Sequence, residues 1–236
     1  MPAAHVELRE RAFEANREIV RAGLVVLTFG NASALDRDAG VMAIKPSGVG
    51  YDGLGPDAMV VVDLDSGAVV EGAFRPSSDT PTHLVLYRTF AGVAGIVHTH
   101  SPFATAWAQA CREIPCFGTT HADHFRGSVP VTRPLTAEEI AGDYETSTGD
   151  AIVETLAALG LGPLEMPAVL VASHAPFTWG TDAAEAVENA VGLEAVAAAA
   201  LRTEQLRPGA GPIAEELLLR HFSRKHGPAA YYGQSR

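Results

Sequence analysis

Leu8, Ala12, Ala15, Ile19 and Val20 recur at the three- and four-residue spacing of one helix face, which predicts a helix over about 5–22 that stops at Gly23. The period then shortens. Apolar runs at 24–29, 41–45, 58–63 and 68–71 are separated by Asp36-Arg37-Asp38-Ala39-Gly40, Ser47-Gly48 and Asp65-Ser66-Gly67, which reads as strands joined by turns. Residues 80–90 return to helical spacing, 94–100 form an Ile/Val-rich strand, and Pro102 opens a further helix where its missing N–H costs nothing. A helix over 146–159, an apolar strand over 167–173, an alanine-rich helix over 182–201 and a last helix over 213–225 complete the pattern. With no repeat and no linker, 1–236 is expected to form a single α/β domain, a central, largely antiparallel sheet flanked by helices on both faces.

Charge narrows the function. The net charge of -11 disfavours nucleic acid, whose phosphates need clustered Lys and Arg, but a small anion remains open, because a pocket can be locally positive or lined with backbone N–H groups. The longest apolar run, 195–201, is too short to cross a bilayer, and 1–21 carries no apolar signal core, so no membrane partner and a cytoplasmic location are expected. Cys111 and Cys116 read as reduced core or near-core thiols without a disulfide.

The candidate chemistry begins at His98-Thr99-His100. Residues two apart on a strand share a face, so both imidazoles can reach one ion, and His174, after the apolar stretch 168–173, can approach from a neighbouring strand end. Three histidines with a carboxylate or water make a catalytic zinc shell. Spacing alone leaves this level with a reading as ordinary strand-end histidines, and His121 and His124 compete for the role. Three polar turns, Gly30-Asn31, Ser47-Gly48 and Ser77-Ser78, can hold a phosphate through backbone N–H groups and hydroxyls, with Lys45 adding charge or simply solvated on its strand; taken singly, each such turn is far more often a plain turn, and Ser78-Asp79 a helix N-cap.

Taken in order, Gly30-Asn31, Lys45-Pro46-Ser47-Gly48, Ser77-Ser78-Asp79-Thr80-Pro81-Thr82-His83, Ile96-Val97-His98-Thr99-His100, Thr119-Thr120-His121-Ala122-Asp123, Arg224-Lys225-His226-Gly227 and Tyr231-Tyr232-Gly233-Gln234 span nearly the whole chain. Together they make it resemble the class II aldolase and adducin-like family, in its sugar-phosphate 4-epimerase branch. The resemblance implies a fourfold homotetramer and one zinc ion per subunit held by His98, His100 and His174, with Asp79 beside it and manganese or cobalt as possible substitutes. It implies a phosphate pocket of Gly30, Asn31, Ser47, Gly48, Ser77 and Ser78 with Lys45 nearby. Asp123 and Tyr232 match the acid/base pair, and His221 and Arg224 match residues that reach the site; these four would come from the adjacent subunit. Thr119 and Glu145 match positions near it. The implied substrate is a small sugar phosphate, the implied reaction L-ribulose 5-phosphate to D-xylulose 5-phosphate, with L-arabinose breakdown the first route expected.

Two rivals share the resemblance. Class II aldolases look similar but carry Glu where this chain has Asp79, and some cytoskeletal head domains resemble the fold without its catalysis. The remaining residues take structural readings: His5 on a helix surface, His83 packed or hydrogen-bonded, His121 and His124 orienting Asp123, His226 structural, and Trp107 and Cys111 in the core.

Overall fold

The computed structural model describes residues 5–226, 230 and 231. Seven strands form one antiparallel sheet in the order β4-β3-β2-β1-β5-β7-β6. They are β1 (Asn31–Asp36), β2 (Val41–Ile44), β3 (Val60–Asp63), β4 (Val69–Glu71), β5 (Gly95–His98), β6 (Ala168–Leu170) and β7 (Pro176–Gly180). The helices are α1 (Val6–Arg21), α2 (Thr80–Thr89), α3 (Pro102–Gln109), α4 (Thr119–Ala122), α5 (Ala137–Ala141), α6 (Tyr144–Leu159), α7 (Ala183–Leu206) and α8 (Glu215–Lys225). No helix among the described residues is long and apolar enough to cross a membrane.

Strand alternation divides the core in two. Ala32, Ala34, Val41, Ala43, Val61 and Val97 pack with Leu8, Ala12, Ala15 and Ile19 of α1 and with the start of α7. Their neighbours Leu35, Met42, Ile44, Val60, Val62 and Ile96 point the other way, against Leu84 and Leu86 of α2, Trp107 of α3 and Ile152 of α6. Successive strand residues face opposite sides, so both faces are covered and the strands read as continuous apolar runs. Gly95 marks the closest approach. A Cβ there would lie 2.2 Å from the Asp182 carbonyl oxygen, so only glycine lets α7 start against the sheet.

The elements that carry the site are tied down by buried polar contacts. Asn16 of α1, fully buried, donates to the Ala12 and Ala32 carbonyls and accepts from the Ala32 N–H, locking α1 to the start of β1 beside Asn31. The register pairs Asn31 with His98, which sets the end of β1 against the first histidine.

Four expectations change. Residues 24–29 are a loop: Leu27 takes φ +54°, and Val26, Leu27 and Phe29 are exposed, so the strand begins only where pairing with β5 begins. The apolar run 167–173 shortens to β6 and turns back, with Val171 donating to the Ala175 carbonyl, into β7, a strand the pattern missed. That strand starts with Pro176, at the end position where a missing N–H is tolerated. Because β7 lies between β5 and β6, His174 reaches β5 from a hairpin turn and not from an adjacent strand end. Cys111 is exposed, at φ +50° past the end of α3; Cys116 is buried, and both are free. Trp107 is in the core as expected.

Two buried histidines make the fold acid-sensitive. Burial drives His121 down to about 4, although its bond to the Gly127 carbonyl works the other way, and burial drives His83 to about 3 against the pull of Asp79. An unfolded histidine titrates near about 6.5, so between roughly pH 6.5 and 4 the unfolded chain holds more protons than the folded one. Stability therefore falls as pH drops through that window. The melting temperature of metal-free protein should decline steadily from pH 6.5 to 4, and less steeply in His121→Gln; a flat profile would contradict the neutral burial of these rings.

Candidate active site

The end of β5 delivers His98, the segment after it delivers His100, and the β6–β7 turn delivers His174. One nitrogen from each lies within 4.8 Å of the others. His98 is oriented twice: its ring stacks on Phe177 with centroids 4.3 Å apart, and its Nδ1–H donates to the Pro176 carbonyl at 3.0 Å. That bond puts the proton on Nδ1 and leaves the Nε2 lone pair facing His100 Nε2, 3.2 Å away. Burial pushes His100 and His174 down to about 4, so both are neutral near pH 7, the state a metal requires. His174 Nδ1 is buried with no partner among the described residues. Nitrogen lone pairs that converge repel one another unless a cation lies between them, and an all-nitrogen set suits zinc or a similar borderline ion.

Asp79 occupies the N-cap position of α2 but makes no capping hydrogen bond. Its carboxylate turns instead to Asn31, whose Nδ2 donates at 2.7 Å. Burial works to raise its pKa, but His98, His83 and the Asn31 bond outweigh it and keep Asp79 ionised. It stands outside the three-histidine group while lining the same pocket.

That pocket, of about 330 Å³, gathers the two sequence constellations. Gly30, Asn31, Lys45, Ser47, Gly48, Ser77, Ser78 and Glu145 line it together with Asp79, His98, His100 and His174. The Ser47 and Ser77 N–H groups are already used, donating to the Arg75 and Lys45 carbonyls and so holding two of the polar turns side by side. Larger clefts of about 930 Å³ lie between α1 and α7 and beside α6, but neither is lined by a histidine.

Asp123 forms a second cluster, outside that lining. It follows α4 and is gripped by α8: Arg224 Nε and Nη2 donate at 2.9 and 2.5 Å, and His221 Nδ1 lies 3.1 Å away. Burial would raise its pKa; the Arg224 and His221 bonds prevail and hold the carboxyl below its usual range. His226 contacts the Asp123 carbonyl at 3.0 Å and stacks on Phe222, in keeping with a structural role. Thr119 opens α4 in this second region. The bonds that hold the Asp123 side chain come from α8, whereas His121 is used by Gly127, which corrects the orienting role expected of its neighbours. His83 is buried against Ser33 Oγ at 2.7 Å, as expected. Tyr232 lies outside the described residues.

Two aromatic residues line the pocket beyond the residues expected there. Phe29 was hidden in an apolar run taken for a strand; its ring sits 5.8 Å from that of His100. Tyr144 opens α6 and its ring lies 6.3 Å from His174. The signal for it was Asp143, whose carboxylate caps the Thr146 N–H and starts the helix earlier than 146.

The antiparallel sheet, the three converging histidines and the polar turns beside them make a candidate metal-ion enzyme site, and sequence comparison gives the family. Residues 10–201 match the Class II Aldolase and Adducin N-terminal domain, and the chain belongs to that family. Among its relatives, the protein named L-ribulose-5-phosphate 4-epimerase UlaF in Salmonella paratyphi A is 53% identical over 228 residues, 97% of this chain and 99% of its own. The protein of the same name from Salmonella typhi matches to the same extent. Among solved structures, an L-fuculose 1-phosphate aldolase shares the fold with TM-score 0.78 at 24% identity, covering 96% of this chain and 99% of its own. The L-fuculose-1-phosphate aldolase from Thermus thermophilus aligns with TM-score 0.65 at 26% identity, over 87% of this chain and all of its own.

Proposed function

We propose that this chain is a zinc-dependent epimerase that interconverts L-ribulose 5-phosphate and D-xylulose 5-phosphate in the cytoplasmic breakdown of pentoses, as a single domain in a homotetramer. The observation that carries it is the joining of three converging histidines and a polar, lysine-bearing pair of turns in one small pocket. The 53% identity to proteins named for this reaction supports the choice of substrate.

C4 of the substrate is β to the carbonyl and carries no acidic proton, so enolisation cannot invert it. Loss of the C4 hydroxyl proton instead breaks the C3–C4 bond. The bonding pair passes into the carbonyl as a dihydroxyacetone enediolate, and C4 becomes the aldehyde carbon of glycolaldehyde phosphate. The aldehyde turns, the enediolate adds to its other face, and the new C4 alkoxide takes up a proton. His98, His100 and His174 would hold the zinc, with Asp79 beside them; bound there, it supplies Lewis-acid stabilisation of the charge that develops on the carbonyl side. Lys45, the serine hydroxyls and Asn31 would grip the phosphate through the turn. Asp123 and Tyr232 of a neighbouring copy would serve as the two acid/base groups on opposite faces. Asp123 is already ionised and held rigid by Arg224 and His221, and it stands outside the histidine pocket of its own chain, which favours service in an adjacent one.

Zinc-loaded protein given L-ribulose 5-phosphate should form D-xylulose 5-phosphate, lose that activity to a chelator and regain it with zinc. Cleavage products without the epimer would establish an aldolase instead. In the same assay Asn31→Ala should release several-fold more glycolaldehyde phosphate per turnover, because the aldehyde fragment is less well held; unchanged partitioning would remove Asn31 from the grip.

A further inference from the structure

Lys45 is nearly fully buried, and among the described residues it meets no carboxylate. Its Nζ makes one long bond, 3.4 Å, to the neighbouring Pro46 carbonyl. What faces the ammonium is the ring of Tyr51, with its centroid 4.7 Å from Nζ. The same side chain reaches across the mouth of β1, where its hydroxyl donates to the Gly30 carbonyl at 2.8 Å. Gly30 has no slack to take up. It sits at φ +92°, and a Cβ there would come within 2.8 Å of the His98 carbonyl oxygen, so Tyr51 clamps it against β5. Tyr51 itself lies outside the pocket lining.

A buried cation needs a partner, and the choice of partner has consequences. A carboxylate would neutralise Lys45 and compete with an incoming anion; an aromatic face attracts the ammonium and leaves its full charge available. We propose that Tyr51 is the positioning residue of the anion subsite: its ring face aims the Lys45 ammonium into the pocket, and its hydroxyl fixes the Gly30-Asn31 turn opposite. This rests on the reading of that pocket as a phosphate site. Burial lowers Lys45 and raises Tyr51 out of its ordinary range, so the phenol stays a donor while the ring stabilises the charged lysine.

The two roles separate by substitution. In zinc-loaded enzyme, Tyr51→Phe keeps the face and loses the donor. Inorganic phosphate affinity by calorimetry should stay within about twofold, while kcat falls several-fold as the Gly30-Asn31 turn loosens. Tyr51→Leu should weaken phosphate about tenfold and raise KM in parallel. In a Lys45→Gln background the same Leu substitution should add almost nothing, because the ring acts through the lysine. Progressively fluorinated phenylalanines at position 51, which keep the shape and drain the ring's negative face, should weaken phosphate stepwise, and they serve if the leucine variant does not fold. An equal loss in both Lys45 backgrounds, or affinity indifferent to fluorination, would overturn the inference. Phosphate affinity unchanged by Lys45→Gln alone would instead overturn the phosphate reading of the pocket, and the inference with it.

Discussion

His98→Ala should lower zinc content from one ion per chain to a small fraction of that and cut epimerase turnover by at least about a thousandfold, the rate equivalent of roughly 4 kcal/mol of lost charge stabilisation. His98 is the best oriented of the three histidines, stacked on Phe177 and hydrogen-bonded to the Pro176 carbonyl, and its loss removes a donor whose geometry no neighbour can reproduce. Because it is buried at the end of β5, alanine also leaves a cavity. His100→Asn, at a half-buried position, gives the cleaner comparison, and it too should lose metal while melting near the parent temperature without zinc. Metal analysis with a thermal melt checks both. Full zinc occupancy in either variant would mean that the histidines do not form the metal site.

Asp123→Asn should behave differently: zinc content stays whole while kcat falls by about a hundredfold or more, the usual contribution of a general acid or base. Asparagine keeps the shape and can still accept from Arg224, so the variant removes charge and basicity with little disturbance of the α4–α8 contact. The same pair of variants tests where the site is completed. If Asp123 serves a neighbouring copy, mixed tetramers of Asp123→Asn and His100→Asn chains contain sites with both residues intact, and activity should recover to about a quarter of the parent value. If each chain completes its own site, every chain in the mixture carries one defect and nothing recovers. Tyr232→Phe belongs in the same experiment, with a similar loss of kcat and retained zinc.

Much of this was legible in the chain. The helices came from long periodic runs, which carry many residues of agreement: α1 and α8 lie within two residues of the expected bounds. The central strands were legible because they are buried on both faces and bounded by glycine and aspartate turns. The errors have a common cause. Within 24–29 and 167–173, Leu24 and Val171 pack in the core and Phe29 borders the pocket, and apolarity alone does not say whether the backbone has a strand partner. The pairing of Asn31 with His98, and the turn through Ser173 at φ +60°, decide that, and both depend on residues distant in sequence or on one dihedral angle.

The site divides the same way. The sequence by itself determined the inventory: three histidines, the Asn31, Ser47 and Ser77 turns, Lys45, and the ordered motifs that mark the family, since donor chemistry is a property of residue type. Only the tertiary structure decided who meets whom. Strand order sets β7 beside β5 and so carries His174 to His98; burial makes His100 and His174 neutral; Asn31 draws the Asp79 carboxylate away from its capping role; and α8 holds Asp123 apart from the pocket. Convergence of lone pairs and desolvation are properties of positions in space, and neither is written in the spacing of residues along a chain.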